Sequence, residues 1–216
     1  MPESHLKKIG AIALWSLSAT AYAITTQGIH GEFNVGLGPL SLGKVTMVYN
    51  CEEDVCHYET RVKGSFMWVD AYIHEQGSYI QDYNHLSPVS THYEEKIGSK
   101  HKEYQYDFLS MEIQDAKDKK RIKLADIAYP YTLLLNQVAL DLRNGTPKKY
   151  YDYLSNQKVK RATVTAYHKT PTARGILHQL ITERKDDNLE FYFLQVGNSI
   201  RFEKLEYKSF NMKRAN

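Results

Sequence analysis

Two cysteines, nine histidines and seventeen tyrosines are the side chains whose types and spacing bear most on chemistry in this chain. Cys51 and Cys56 flank Glu52-Glu53-Asp54-Val55. Four residues between two cysteines suit a hairpin loop, which can face the two Cβ atoms across it. In an oxidising compartment such a pair forms a disulfide. A metal site needs further ligands, of which only His57 is adjacent, and redox catalysis ordinarily uses C-x-x-C. A structural disulfide is therefore expected over free thiols or metal. Chain entropy gives a loop this short about 2–3 kcal/mol.

The histidines are scattered, and beyond residue 23 none pair at i, i+2 or i+4, the spacings that align two imidazoles on one element. His85 and His92 flank Pro88 and could meet across a bend, but polar surface is the expectation. Glu94-Glu95 and Asp186-Asp187 are adjacent pairs, which split to opposite faces in a strand and are solvated in a turn. No G-x-S-x-G, Gly-rich phosphate loop, H-E-x-x-H or C-x-x-C motif occurs. The expectation is a protein that is not an enzyme, with no catalytic residue, metal or cofactor.

Tyrosine is the distinctive residue. Tyr79/Tyr83, Tyr104/Tyr106 and Tyr151/Tyr153 are spaced to share strand faces. A tyrosine offers an apolar ring and a polar tip, so such rows serve either cross-strand packing or a cavity wall for a ligand with apolar and polar parts. The candidate wall comprises Tyr79, Tyr83, Tyr104, Tyr106 and Phe108 on strands, with Tyr131, Leu134, Leu135 and Val138 on a helix.

That helix, expected within Ala128–Gly145, is the one long helical signal beyond the N-terminus. Tyr131, Leu134, Leu135, Val138 and Leu142 fall on one face, which predicts an amphipathic helix covering a sheet. Pro130 suits the first turn, Arg143 the negative end of the dipole, and Asn144-Gly145 a left-handed cap. Nearly everything else reads as strands and turns, including a solvated hairpin tip at Lys117–Lys123. Gly64–Glu75 fits strand or helix, and Ser87-Pro88 marks a break or edge. The fold class is mainly β: a curved antiparallel meander of about ten strands, an open or partly closed barrel, with one principal α-helix packed against it.

The N-terminus reads as a secretory signal: basic Lys7-Lys8, an apolar run Ile9–Leu17, and an A-x-A site at Ala21-Tyr22-Ala23. The run is too short for a stable membrane anchor. Cleavage after Ala23 would leave a single periplasmic domain, 24–216, with no membrane span. Removing Lys7, Lys8 and Glu3 takes 28 Lys+Arg and 25 Asp+Glu to 26 and 24, a net of +2. So balanced a charge gives no electrostatic ground for nucleic-acid binding.

The order of features resembles an uncharacterised family of exported bacterial β-rich proteins, a domain of unknown function. The matching residues are Phe33 and Gly36 in the first strand, Gly43 in the second, Ser87-Pro88 followed by Tyr93, the pair Asp107-Phe108, and Pro130 leading Leu133 to Leu142. Tyr131 stands where the family pattern has an aspartate. The resemblance implies an architecture similar to periplasmic lipoprotein carriers, whose strongly curved sheet holds acyl chains under a helical lid. Two roles are expected. One is a non-enzymatic carrier for an apolar or lipid-like ligand. The other is an envelope assembly or scaffold protein that meets a protein partner through a sheet edge or aromatic patch.

Overall fold

The computed structural model describes residues 29–215 apart from Glu53, Met67, Trp68, Lys185 and Asp186. The expected leader over 1–23 and the Asp186 of the second carboxylate pair lie outside the described residues. So does Met67 of the ambiguous stretch; around it, β3 (Val55–Phe66) and β4 (Val69–Gln81) show that stretch to be strand.

Fourteen strands form one antiparallel sheet, and its curve stays open. From the centre, β1 (Gly31–Leu37) and β2 (Leu40–Glu52) lead outward through β3 and β4 to β5 (Leu86–Ile97), β6 (Lys100–Asp107), β7 (Glu112–Asp115) and the edge strand β8 (Arg121–Lys123). Helix α1 (Tyr131–Arg143) carries the chain to the opposite edge. There β9 (Tyr150–Ser155), β10 (Lys158–Thr172), β11 (Gly175–Arg184), β12 (Asp187–Val196), β13 (Ser199–Tyr207) and β14 (Phe210–Arg214) return hairpin by hairpin to pair with β1. The expected Cys51–Cys56 disulfide is present, closing the β2–β3 hairpin where the two residues are cross-strand partners.

Fourteen strands exceed the expected ten or so. One reason is the stretch Ser199–Phe210, which reads in sequence as a single strand but is broken by a tight turn at Lys208 (φ 54°) with no glycine or asparagine to announce it. Pro88 corrects a second expectation: it breaks nothing and lies inside β5. It sits opposite Tyr79 at a register shift, where a bulge excuses its missing N–H. Tyr83 lies beyond the end of β4, so it shares no strand face with Tyr79.

The helix differs most from its reading. It starts one residue after Pro130 and ends in a Schellman motif. Gly145 adopts φ +71°, its N–H bonds to Leu142 O (3.1 Å), and the Thr146 N–H bonds to Asp141 O (2.8 Å). Yet it is not amphipathic in place, because every residue from Thr132 to Leu142 is buried. The sheet curls around it and leaves no solvent face. Most of its polar side-chain atoms are consequently paired, although Asn136 Nδ2 has no hydrogen-bond partner among the described residues. Asn136 Oδ1 accepts from the Ile29 N–H (2.8 Å), and Gln137 Oε1 accepts from the Leu86 N–H (2.8 Å). Asp141 accepts from Gln137 Nε2 (2.7 Å) and the Tyr151 hydroxyl (3.0 Å).

The sheet rolls past itself instead of closing edge to edge. On β9, Tyr153 enters the main core around α1, while its neighbour Leu154 enters a second core with Tyr104, Tyr106, Phe108 and Ile113 of the β5–β8 flank. Successive strand side chains point to opposite faces, so this flank packs on the outer side of β9. Tyr106 donates to Asn156 O (2.7 Å) and Gln157 Nε2 to Asp115 Oδ2 (2.9 Å) across the overlap. The free edge of β9 is itself occupied: the Tyr129 N–H bonds to Asp152 O (3.1 Å), and the Leu154 N–H to Tyr129 O (2.9 Å).

Such curvature needs close backbone approach somewhere, and Gly77 of β4 provides it. Its cross-strand partners are Tyr58 and Thr91, and the Tyr58 ring crosses over it to hydrogen-bond Thr91 Oγ1 (2.7 Å). A Cβ on Gly77 would lie 2.3 Å from Ser90 O and 2.8 Å from the Tyr58 hydroxyl oxygen. Gly77→Ala should lower unfolding stability by more than about 2 kcal/mol, from overpacking plus the lost hydrogen bond. Urea denaturation checks this, and a change within about 0.5 kcal/mol would contradict the close approach.

Candidate functional site

A cavity of about 300 Å³ lies between the N-terminal half of α1 and the inner face of the sheet. Both flanks of the roll contribute to it. Val45, Met47, Val62 and Ile73 come from β2–β4. Ala162, Leu189, Phe191, Leu205 and Met212 come from β10–β14, while Leu134 and Leu135 form the roof. The binary pattern of the strands explains this lining, since inward positions are apolar and alternate with outward polar ones. The residues at the wall that carry polar groups are few: Thr60, Thr132, Thr182, Glu75, Tyr93, Tyr131 and Tyr153. Tyr131, 43 % exposed, is the one lining side chain that is largely open to solvent. Its ring packs on Tyr153 at 5.5 Å between centroids, so these two tyrosines stand where the wall meets water.

Glu75 is the one carboxylate in the wall and is 5 % exposed. Pro130 supplies no side-chain cap to α1. Glu75, reaching from β4, takes that role: its Oε1 accepts the Thr132 N–H at 2.9 Å, and the Tyr131 N–H also bonds to the carboxylate. The positive end of the helix dipole favours an anion there. Burial nonetheless dominates and raises the Glu75 carboxyl above the ordinary glutamate range, with the Thr132 and Tyr131 hydrogen bonds opposing it. A cavity with such a wall accepts an apolar body and repels a second carboxylate.

The expected wall residues are divided by the structure. Tyr131, Leu134 and Leu135 line the cavity. Val138 and Tyr79 belong to the main core, fully packed; Tyr79 is 1 % exposed, and burial pushes its hydroxyl up to about 12. Tyr104, Tyr106 and Phe108 sit in the second core, under the overlap. Tyr83 is 70 % exposed in the β4–β5 turn. The residues missed were the aliphatic strand positions and Glu75. Alternation marked the former as inward-facing, but packing and cavity walls look alike in sequence. Glu75 carried no local signal.

A second concavity, of about 730 Å³, opens on the outer face of β2–β6, bordered by His57, Glu59, Arg61, Gln76, His92 and Gln105 and also by Val48 and Tyr58. It is wide and shallow, so it holds no apolar ligand away from water. No described helix is long and apolar enough to cross a membrane.

Glu75 generates a pH prediction. Its carboxyl is raised in the folded chain, so the folded state holds the proton longer than the unfolded one. The contribution to stability is full below the ordinary glutamate range and lost as pH climbs through the raised value. Glu75→Gln keeps an acceptor for the helix but no charge. Between pH 4 and pH 8, wild type should lose stability relative to Glu75→Gln; equal slopes in denaturant titrations would refute the desolvated carboxyl. No protein-family model, curated protein or solved structure matches this chain, so a functional reading rests on the geometry just described.

Proposed function

We propose that the protein is a non-enzymatic, exported binding or carrier protein for an apolar or lipid-like ligand, held in the cavity beneath α1. The observation that carries this is the cavity itself: about 300 Å³ bounded mainly by apolar side chains of the main core. Native cores rarely keep a void larger than a water molecule, and an apolar cavity of about 150 Å³ already takes up benzene. This one falls at the lower end of small-molecule sites. It suits a single chain or ring system with a neutral or cationic head, given Glu75. The carrier-like architecture the sequence resembles is consistent with that role. Export is supported by the leader-like N-terminus and by the disulfide, which persists in oxidising compartments. The scaffold alternative draws less support. β8 is a three-residue edge, and the β9 edge is occupied by Tyr129.

Ala162 is a small lining residue whose enlargement fills the cavity without touching α1's hydrogen bonds. Purified protein should bind the fluorescent probe N-phenyl-1-naphthylamine, and dodecanol should displace it. Ala162→Phe should weaken probe binding at least tenfold while leaving the far-ultraviolet circular dichroism unchanged. A probe that fails to bind wild type, or binds the variant equally, would show that the cavity is not a ligand site.

A further inference from the structure

The outer face of the β5–β6 hairpin carries an arrangement that the cavity does not use. Glu94 and Glu103 are direct cross-strand partners, so two carboxylates face each other on one side of the sheet. Like charges so placed are destabilising unless something offsets them. Imidazoles flank them: His92 Nε2 lies 3.0 Å from Glu103 Oε1, and His101 Nε2 lies 3.1 Å from Glu94 Oε1 and 3.9 Å from Glu103 Oε2. One donor atom each from Glu94, His101 and Glu103 fit within 4.8 Å of one another. From strand alternation these residues point away from the core, and Glu94 is the least exposed of the three at the side chain (18 %).

We propose that Glu94, His101 and Glu103 bind a divalent first-row transition ion of the zinc class, with His92 supporting Glu103 through its 3.0 Å contact to Oε1. Three features carry this. Around a tetrahedral ion with bonds of about 2.1 Å, neighbouring donors stand about 3.4 Å apart, and the 3.1 and 3.9 Å separations straddle that spacing. The donor set mixes imidazole nitrogen with carboxylate oxygen, which selects zinc-like ions over calcium or magnesium. The ligands lie on paired strands joined by the tight Gly98-Ser99 turn, so most of their ordering is supplied by the fold. A divalent cation also offsets the charge of the facing carboxylates. In its absence Lys96 meets part of that need by pairing with Glu94 at 2.5 Å. Lys96 is half exposed and free to swing outward, so it competes with the ion instead of blocking it.

Calorimetric titration of the full secreted chain with Zn²⁺, against a chelator of known affinity, tests the site. The expected result is one ion per chain, with binding weakened at least tenfold by His101→Ala and by Glu103→Gln, as loss of a ligand or its close support generally does. Lys96→Ala should tighten binding, because it removes the competing cation, and excess Ca²⁺ should not displace the ion. All three changes lie at the sheet surface, and circular dichroism confirms the fold before titration. Failure of wild type to bind at millimolar Zn²⁺ overturns the proposal. So does binding that survives both ligand substitutions, or that weakens in Lys96→Ala.

Discussion

The fold depends on a helix that has no solvent side. Burying Leu133, Leu134, Leu135, Val138, Leu140 and Leu142 stabilises the chain by about 1.5–3 kcal/mol each. The same burial takes in Thr132, Asn136, Gln137 and Asp141, and each of these left unpaired would cost about 1–3 kcal/mol. That cost would erase much of the gain. It is largely averted, save at Asn136 Nδ2, by partners placed on separate elements: Ile29 before β1, Glu75 on β4, Asn84 and Leu86 around the β4–β5 turn, Tyr151 on β9. The sheet cannot unroll without stranding these groups. The polar residues of α1 therefore set the position of both flanks.

This constraint bears on the cavity. Close packing runs along the C-terminal half of α1, where Val138, Ala139 and Leu142 meet the core. Near the N-terminal half, where Glu75 caps the helix, residues of both flanks bound the cavity instead. The space between them follows from the geometry of the overlap as much as from side-chain size. Burial of Asp141 raises its carboxyl, which Lys148, Gln137 and Tyr151 counter, so the other end of the helix bears a second charge that burial makes costly. A chain selected for stability alone would do better with apolar residues at such positions. Their presence at both ends of one helix fits a fold that holds a specific open shape.

The predominance of strand, the disulfide and the left-handed cap at Gly145 were legible because each is set by residues within a few positions of one another. Local conformation depends on local chemistry, and glycine, proline and alternation report it directly. The turn at Lys208 escaped because its left-handed residue is a lysine, held there by tertiary pairing of β13 with β14 and β14 with β1.

Other features were decided only by tertiary structure. The stripe of α1 predicted one buried face, but a rolled sheet encloses the helix from Thr132 to Leu142, and no spacing within residues 131–143 encodes that. Tyr104 and Tyr106 share a strand face with cavity-side neighbours, yet the overlap seals them beneath Leu154. Glu75 lies 57 positions from the Thr132 amide it caps. Glu94 meets Glu103 because a hairpin register opposes them. Sequence determined which residues alternate and where the chain turns. Which of the inward residues bound a space, and which merely fill one, was set by how far the sheet rolls, a property of the summed twist of fourteen strands.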